Sequence, residues 1–357
     1  MQRKFLPWIE SRKDELDWRH LSFTMSDVNI LEQNQNYINW IHLCSNNNAI
    51  PLLKKNLDKV SWVALSFNIN AIPMLENNLN KLSWDYLSSN HNAISMLEKN
   101  IDKINWWYIS SNINAIQIME KNSNKIMSYK NEKESRRKMS LSWKRYSCEI
   151  DASVLSLNIN AISILENNLD KVDWDALSSN INAISILEKN LDKINWWYLS
   201  ENINAISILE KNLDKVEWGC LSININAIHI LEKNLDKVNW NNLSRNINAI
   251  SILENNFNKI IWNELSFNIN AIHILEKNLD KVNWDNLSCN ANAISILEKN
   301  QEKVAFLLLS RNSNIFTYDY DYYKKRIDIY REELMKKVFH PNRLIYYLEI
   351  GYDFTEM

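Results

Sequence analysis

The residues that could do chemistry are few and repetitive. His229 and His273 occupy the same position two periods apart in a 22-residue pattern. At ~10 Å per helical layer they stand about 20 Å apart, so they cannot share a metal whose bonds are ~2 Å long. Glu166, Glu188, Glu210 and Glu232 recur at the same interval. Paired carboxylates can act as general acid and base, but a carboxylate repeated in nearly every copy marks a solvated face, whereas catalysis needs one differentiated site. His340 precedes Pro341 and suits a helix cap. Cys44, Cys148, Cys220 and Cys289 are scattered without a CxxC pair, which reads as thiols in a reducing compartment. There is no Gly-rich phosphate loop, nucleophile motif or zinc spacing. The expectation is a protein that is not an enzyme, with no cofactor, metal or small-molecule substrate.

Recognition is the chemistry that remains. Some slots vary from copy to copy while the rest stay fixed: the pair after each repeated Trp, and the residue two past the following Leu. Their aromatic members, Trp107, Tyr108, Trp197, Tyr198, Phe67 and Phe267, are the candidate binding residues, because aromatics supply most interface energy. A second candidate is an anion site in the segment 124–148. It carries eight basic residues, among them Arg136, Arg137, Lys138, Lys144 and Arg145, against Glu132 and Glu134. A protein partner is the leading expectation and nucleic acid the alternative. The repeated Trp itself reads as core; a base-reading code would have to vary, and this Trp does not.

The unit that positions these residues is WDALSSNINAISILEKNLDKIN, Trp174 to Asn195. Its Trp recurs at 18, 40, 62, 84 and 106, then at 174, 196, 218, 240, 262 and 284, and Phe306 keeps the register. The slot before the Trp holds Ser61, Ser83, Asn105, Asp173, Asn195, Asn239 or Asn283, all helix N-caps. Val172 before the cap and Leu177 after it form a hydrophobic staple. A first helix is therefore predicted from Trp174 to near Asn180, and a second from Ala183 to about Lys189, with Asn182 as its cap. Pro51 and Pro73 fall in that second helix's first turn, where a missing N–H is tolerated. With only two Gly in the chain, Asn190 is expected to take the left-handed position that ends the helix. Helices this short are unstable alone, so the units must stack. A leucine-rich repeat of similar length fits worse, since Asn182, Ser185 and Asp192 fall where it needs leucine.

The chain thus reads as an all-α solenoid of about fourteen helix pairs: an N-terminal cap at 1–17, an array at 18–123, a degenerate basic copy at 124–151, an array at 152–316 and a C-terminal helical cap at 317–357. The degenerate copy is inferred because Trp106 and Ala152 are two periods plus two residues apart. A net charge of −2 gives no overall basic footprint. No stretch has the ~18 apolar residues of a membrane span, and the N-terminus has no signal-peptide run. The expectation is an intracellular soluble protein with no membrane contact.

The unit NAIxxLExN-x-DKxxW, with the terminal HPNRLIYYLEIGYDF, resembles the short-repeat proteins of giant DNA viruses that infect protists. The resemblance covers roughly residues 18–357. It implies a helical-repeat fold and a viral source, and with them a place in the host cytoplasm or the virion. It brings no catalytic residues to carry over, and the basic segment departs from its pattern.

Overall fold

A computed structural model describes residues 3–125, 149–343 and 345. It divides into two compact units, one of Met1–Ser11 with Ile315–Met357 and one of Arg12–Asn314.

The larger unit is the array. Each repeat is a pair of short helices, such as Trp174–Ser179 and Ile184–Glu188. Asp173 caps the first helix, its Oδ1 accepting from the N–H groups of Asp175 and Ala176 at 3.1 and 3.3 Å. The staple residue Val172 is buried, and Leu177, Ala183 and Leu187 are wholly so. These residues set the spacing between layers, and Ala183 lets the layers approach closely.

Polar groups join one layer to the next. The buried Ser178 hydroxyl donates to Trp174 O at 2.7 Å and accepts the Asn195 N–H of the following unit at 3.0 Å. The buried Asn180 amide donates to Ser156 O at 2.9 Å and Asn158 O at 3.2 Å in the preceding unit. Its Oδ1 accepts from Asn182 N at 3.0 Å. The same rungs recur along the array (Asn68, Asn90, Asn112, Asn202, Asn246, Asn290). A buried amide of this kind is tolerated because its donors and acceptor are all matched.

Two expectations are corrected here. Asn182 is not the cap of the second helix. The residue before that helix is Ala183, which makes no side-chain cap bond, and Asn182 instead donates to Ile159 O of the preceding unit at 2.9 Å. Nor does the helix end in a left-handed Asn. Asn56, Asn100 and Asn300 have φ near −134°, −136° and −134°. In this slot the side-chain amide reaches back instead, as from Asn190 to Ile186 O at 2.8 Å, and satisfies the helix's last carbonyls without a positive φ.

The count of units also changes. Ile150 N donates to Lys125 O at 2.9 Å, Asp151 N to Ser110 Oγ at 2.9 Å, and Asn158 Nδ2 to Ser110 O at 3.0 Å. The last two are the ordinary rungs, so the Trp106 unit bonds directly to the Ala152 unit. Residues 126–149 are 24 in number, and with them set aside Phe306 stands twelve whole periods after Trp18. Among the described residues thirteen units bond in series, the Trp106 unit directly to the Ala152 unit.

The first and last units also bond to each other. Asp17 N donates to Ser310 Oγ at 2.6 Å, the same rung to a serine that links neighbouring units elsewhere, save where Cys44 stands for the serine. The Arg12 guanidinium lies 3.8 Å from the Phe306 ring centroid. The array is therefore closed, where the sequence suggested an open stack with two separate ends. First helices of successive units pack directly on one another, and second helices stand farther apart. In a closed array the closer row is the inner one, so the first helices form the inner wall.

In the smaller unit, strands β1 (Arg3–Phe5) and β2 (Phe316–Tyr318) pair antiparallel, with Phe5 opposite Phe316 and their rings 5.0 Å apart. Asp319 then caps a helix running from Tyr320 to Val338, its side chain accepting from Tyr322 N. No helix among the described residues is long and apolar enough to cross a membrane.

Candidate interaction face

The inner wall is built from the slots one, two and five residues after each repeated Trp. A first helix uses its Trp, Leu and Ser to hold its neighbours, which leaves these slots on the opposite side. Gly219 shows how open the wall is: a Cβ built there meets no atom within 4 Å. The slots that vary in the sequence are thus the slots of the wall.

Three of the candidate residues converge. Phe67 and Tyr86 lie 6.2 Å apart edge to face, Tyr86 and Tyr108 6.0 Å, and Trp107 and Tyr108 4.9 Å. These rings form one continuous aromatic strip across three successive units. Phe67 is 52% exposed. The strip is at the separations where aromatic pairs attract. Desolvation, with a smaller effect from Tyr86 and Asp85, pushes the Tyr108 phenol above its ordinary value, so it stays a neutral donor. The sequence reading missed Tyr86 as a binding residue, although it occupies one of the variable slots.

The other candidates stand apart. Trp197 and Tyr198 are 55% and 41% exposed, three units farther round the wall. Phe267 is covered by Arg245, whose guanidinium lies 4.9 Å from the ring centroid and 4.0 Å from Glu264. Some polar wall residues are tied back into the ladder: Asp85 and Asp175 each accept from the next unit's capping Asn at 2.8 Å. Arg136, Arg137, Lys138, Lys144 and Arg145 lie outside the described residues.

The repeated Trp is covered rather than presented. Lys193 sits over Trp174 at 4.9 Å, Lys237 over Trp218 at 4.8 Å and Lys303 over Trp284 at 4.7 Å. Most of these rings are half-buried, with Trp18 and Trp106 fully so. A neighbour's lysine closes one face of the ring to a stacking base.

His229 and His273 bond to carboxylates of the preceding unit, His229 Nε2 to Glu210 at 2.6 Å and His273 Nε2 to Glu254 at 2.8 Å. Ser163 makes the same contact with Glu120 at 2.8 Å, so histidine here does serine's work in the ladder. No group of three His, Cys, Asp or Glu side chains converges on a metal site among the described residues.

Cys44 replaces the ladder serine, its sulfur accepting Ser61 N at 3.3 Å. Burial pushes its thiol up. Cys220 is pushed up to about 12, by burial first and then by the Glu201 carboxylate. Both therefore remain protonated at pH 8, and a thiolate is what alkylating reagents attack. We expect iodoacetamide at pH 8 to label Cys44 and Cys220 only after unfolding. Rapid native labelling at pH 8, read by mass spectrometry, would contradict this burial.

No family model, curated protein or solved structure matches the chain.

Proposed function

We propose that the closed array is a non-enzymatic scaffold whose inner wall binds a segment of another protein. The observation that carries this reading is the aromatic strip Phe67–Tyr86–Tyr108–Trp107 on a wall that varies while the ladder behind it stays fixed. Such rings are rigid anchors that lose little entropy on binding. The charge of the wall points to protein over phosphate. Its slots hold Arg19, Arg245 and Arg311 against Asp85, Asp175, Asp285, Glu201 and Glu264, and a phosphate-binding wall needs a basic excess. Thirteen layers at ~8–10 Å, less a helix diameter of ~10–12 Å, leave an opening roughly 20–30 Å wide. That is room for one or two helices of a partner. The resemblance of the repeat to giant-virus proteins supports a host protein or a virion component as the partner, met in the host cytoplasm or the virion.

The test is affinity capture from native cell lysate, with and without nuclease, using the full chain and a Tyr86→Ser, Tyr108→Ser variant. The reading expects a discrete protein retained after nuclease and bound about 30-fold more weakly by the variant, the effect of losing one strong anchor. Capture that disappears with nuclease and ignores the two tyrosines would transfer the function to nucleic acid and to the basic residues of 124–148.

A further inference from the structure

We propose that the closed array opens at one place, the seam between the Phe306 unit and the Trp18 unit. The argument is independent of what the wall binds. From the Trp40 unit onward a buried Asn donates two bonds to the unit before it, and a second Asn donates a third. Between the Trp174 and Trp196 units, for example, these are Asn202 to Ser178 O and Asn180 O, and Asn204 to Ile181 O, at 3.0, 3.2 and 3.0 Å. Between the Trp18 and Trp40 units Asn46 donates two, to Ser22 O and Met25 O at 3.0 and 2.8 Å. At the seam the two donor slots hold Thr24 and Ser26. Neither has an amide, and the Thr24 hydroxyl is given to His20 O of its own helix at 2.9 Å. Ser310 O and Asn312 O, which correspond to the acceptors elsewhere, receive no amide donor from Thr24.

The covering cation changes as well. Glu15 stands in the slot where most other units carry the lysine over the preceding aromatic ring, and where Tyr37 stacks on Trp18. Arg12 takes that place over Phe306 while paired to Glu15 at 2.6 Å. The seam thus keeps the Asp17–Ser310 rung and an arginine–phenyl contact, but lacks the amide bonds of the Asn slots, three of which join the Trp284 and Phe306 units on one side and two the Trp18 and Trp40 units on the other. The junction between the Trp106 and Ala152 units shows that this is no general effect of irregular sequence. There the full set is kept, from Asn158 to Ser110 O and Asn112 O, and from Asn160 to Ile113 O, at 3.0, 3.4 and 2.9 Å.

Strands β1 and β2 are covalently continuous with the two ends of the array. Their pairing limits how far the ends can part, so the seam can breathe without the chain unravelling, and wide opening requires the ribbon to unpair. A ring with one weak joint admits an occupant sideways as well as end-on.

Native-state hydrogen exchange tests this on the unmodified chain. The amides of Asp17, Asp173 and Asn195 all donate to a serine Oγ of the preceding layer, at 2.6, 3.1 and 3.0 Å, so their protection factors compare like with like. Each net hydrogen bond changes an opening equilibrium by up to about tenfold. Asp17 is expected to be about 100-fold less protected than the other two. A Thr24→Asn, Ser26→Asn variant restores the donors and is expected to raise Asp17 protection at least about tenfold, leaving Asp173 unchanged. Equal protection at all three amides in the unmodified chain would overturn the proposal. So would greater lability at any other junction.

Discussion

Replacing Asn224 with leucine will lower the stability of the array by about 1–3 kcal/mol, although leucine has nearly the same volume and is more hydrophobic. Asn224 is 2% exposed. Its amide donates to Ser200 O at 3.0 Å and Asn202 O at 3.2 Å, and its Oδ1 accepts from Asn226 N at 3.1 Å. The substitution strands the Ser200 carbonyl, takes one of two donors from Asn202 O, which keeps the Ala205 N–H at 3.1 Å, and removes the acceptor of the part-buried Asn226 N–H. A buried group left unsatisfied costs about 1–3 kcal/mol and a lost bond about 1 kcal/mol. Burial of extra apolar surface returns about 1–2 kcal/mol at most. The neighbouring Asn226 is the control. Its single bond to Ile203 O, at 3.0 Å, is made at the surface, so Asn226→Ala should shift stability by about 1 kcal/mol or less. Denaturant midpoints of the three chains decide the matter. If Asn224→Leu unfolds at or above the native midpoint, apolar packing alone holds the layers and the amide ladder is incidental.

Trp218→Ala will destabilise by about 3 kcal/mol, the lower end of the range for removing a large aromatic from a core. The lower end applies because the ring is half-buried. Lys237 lies over it at 4.8 Å, a contact worth about 0.5–1 kcal/mol at a partly exposed site. Lys237→Ala should therefore cost about 0.5–1 kcal/mol, and in the Trp218→Ala background it should cost almost nothing. Thermal melts of the four chains in this cycle measure the coupling. An unchanged melt for Trp218→Ala would mean that the ring is presented to solvent, and base stacking on a Trp ladder would regain its force.

Much of the fold was legible because one physical requirement is written many times over. The 22-residue period, the cap before each Trp and the Val172–Leu177 spacing all point to short helices that must stack, and the helix pairs are present. What the sequence hid are features that depend on a partner one layer away. Asn180 and Asn182 are two residues apart in the same Asn-Ile-Asn, and local cap rules favour Asn182. Only the neighbouring carbonyls of Ser156 and Asn158 make Asn180 the buried one. Asn190 looked like a left-handed helix end because glycine is scarce, but a side-chain bond to Ile186 does that work without strain. Residues 126–149 read as a decayed copy because they are two residues longer than a period; the rung from Asp151 to Ser110 shows that the Trp106 unit bonds directly to the Ala152 unit. Closure was invisible for the same reason, since Asp17 and Ser310 are almost the whole array apart in sequence. Of the candidate binding residues, spacing identified the wall slots but could not show which rings touch. Phe67, Tyr108 and Trp107 prove continuous only through Tyr86, while Trp197, Tyr198 and Phe267 lie elsewhere.

Closure defines the inner wall, so the most direct test is the distance between the ends of the array. In a chain whose four cysteines are replaced by serine, nitroxide labels at Arg19 and Leu307 occupy the same exposed slot of the first and last units. Labels at Arg19 and Ile41 report an ordinary pair of neighbours. The closed array predicts the same strong dipolar broadening for both pairs, since each spans one layer of ~8–10 Å. Broadening in the Arg19–Ile41 pair alone, with the Arg19–Leu307 labels tens of ångströms apart, would show an open solenoid and remove the enclosed wall on which the proposed function rests.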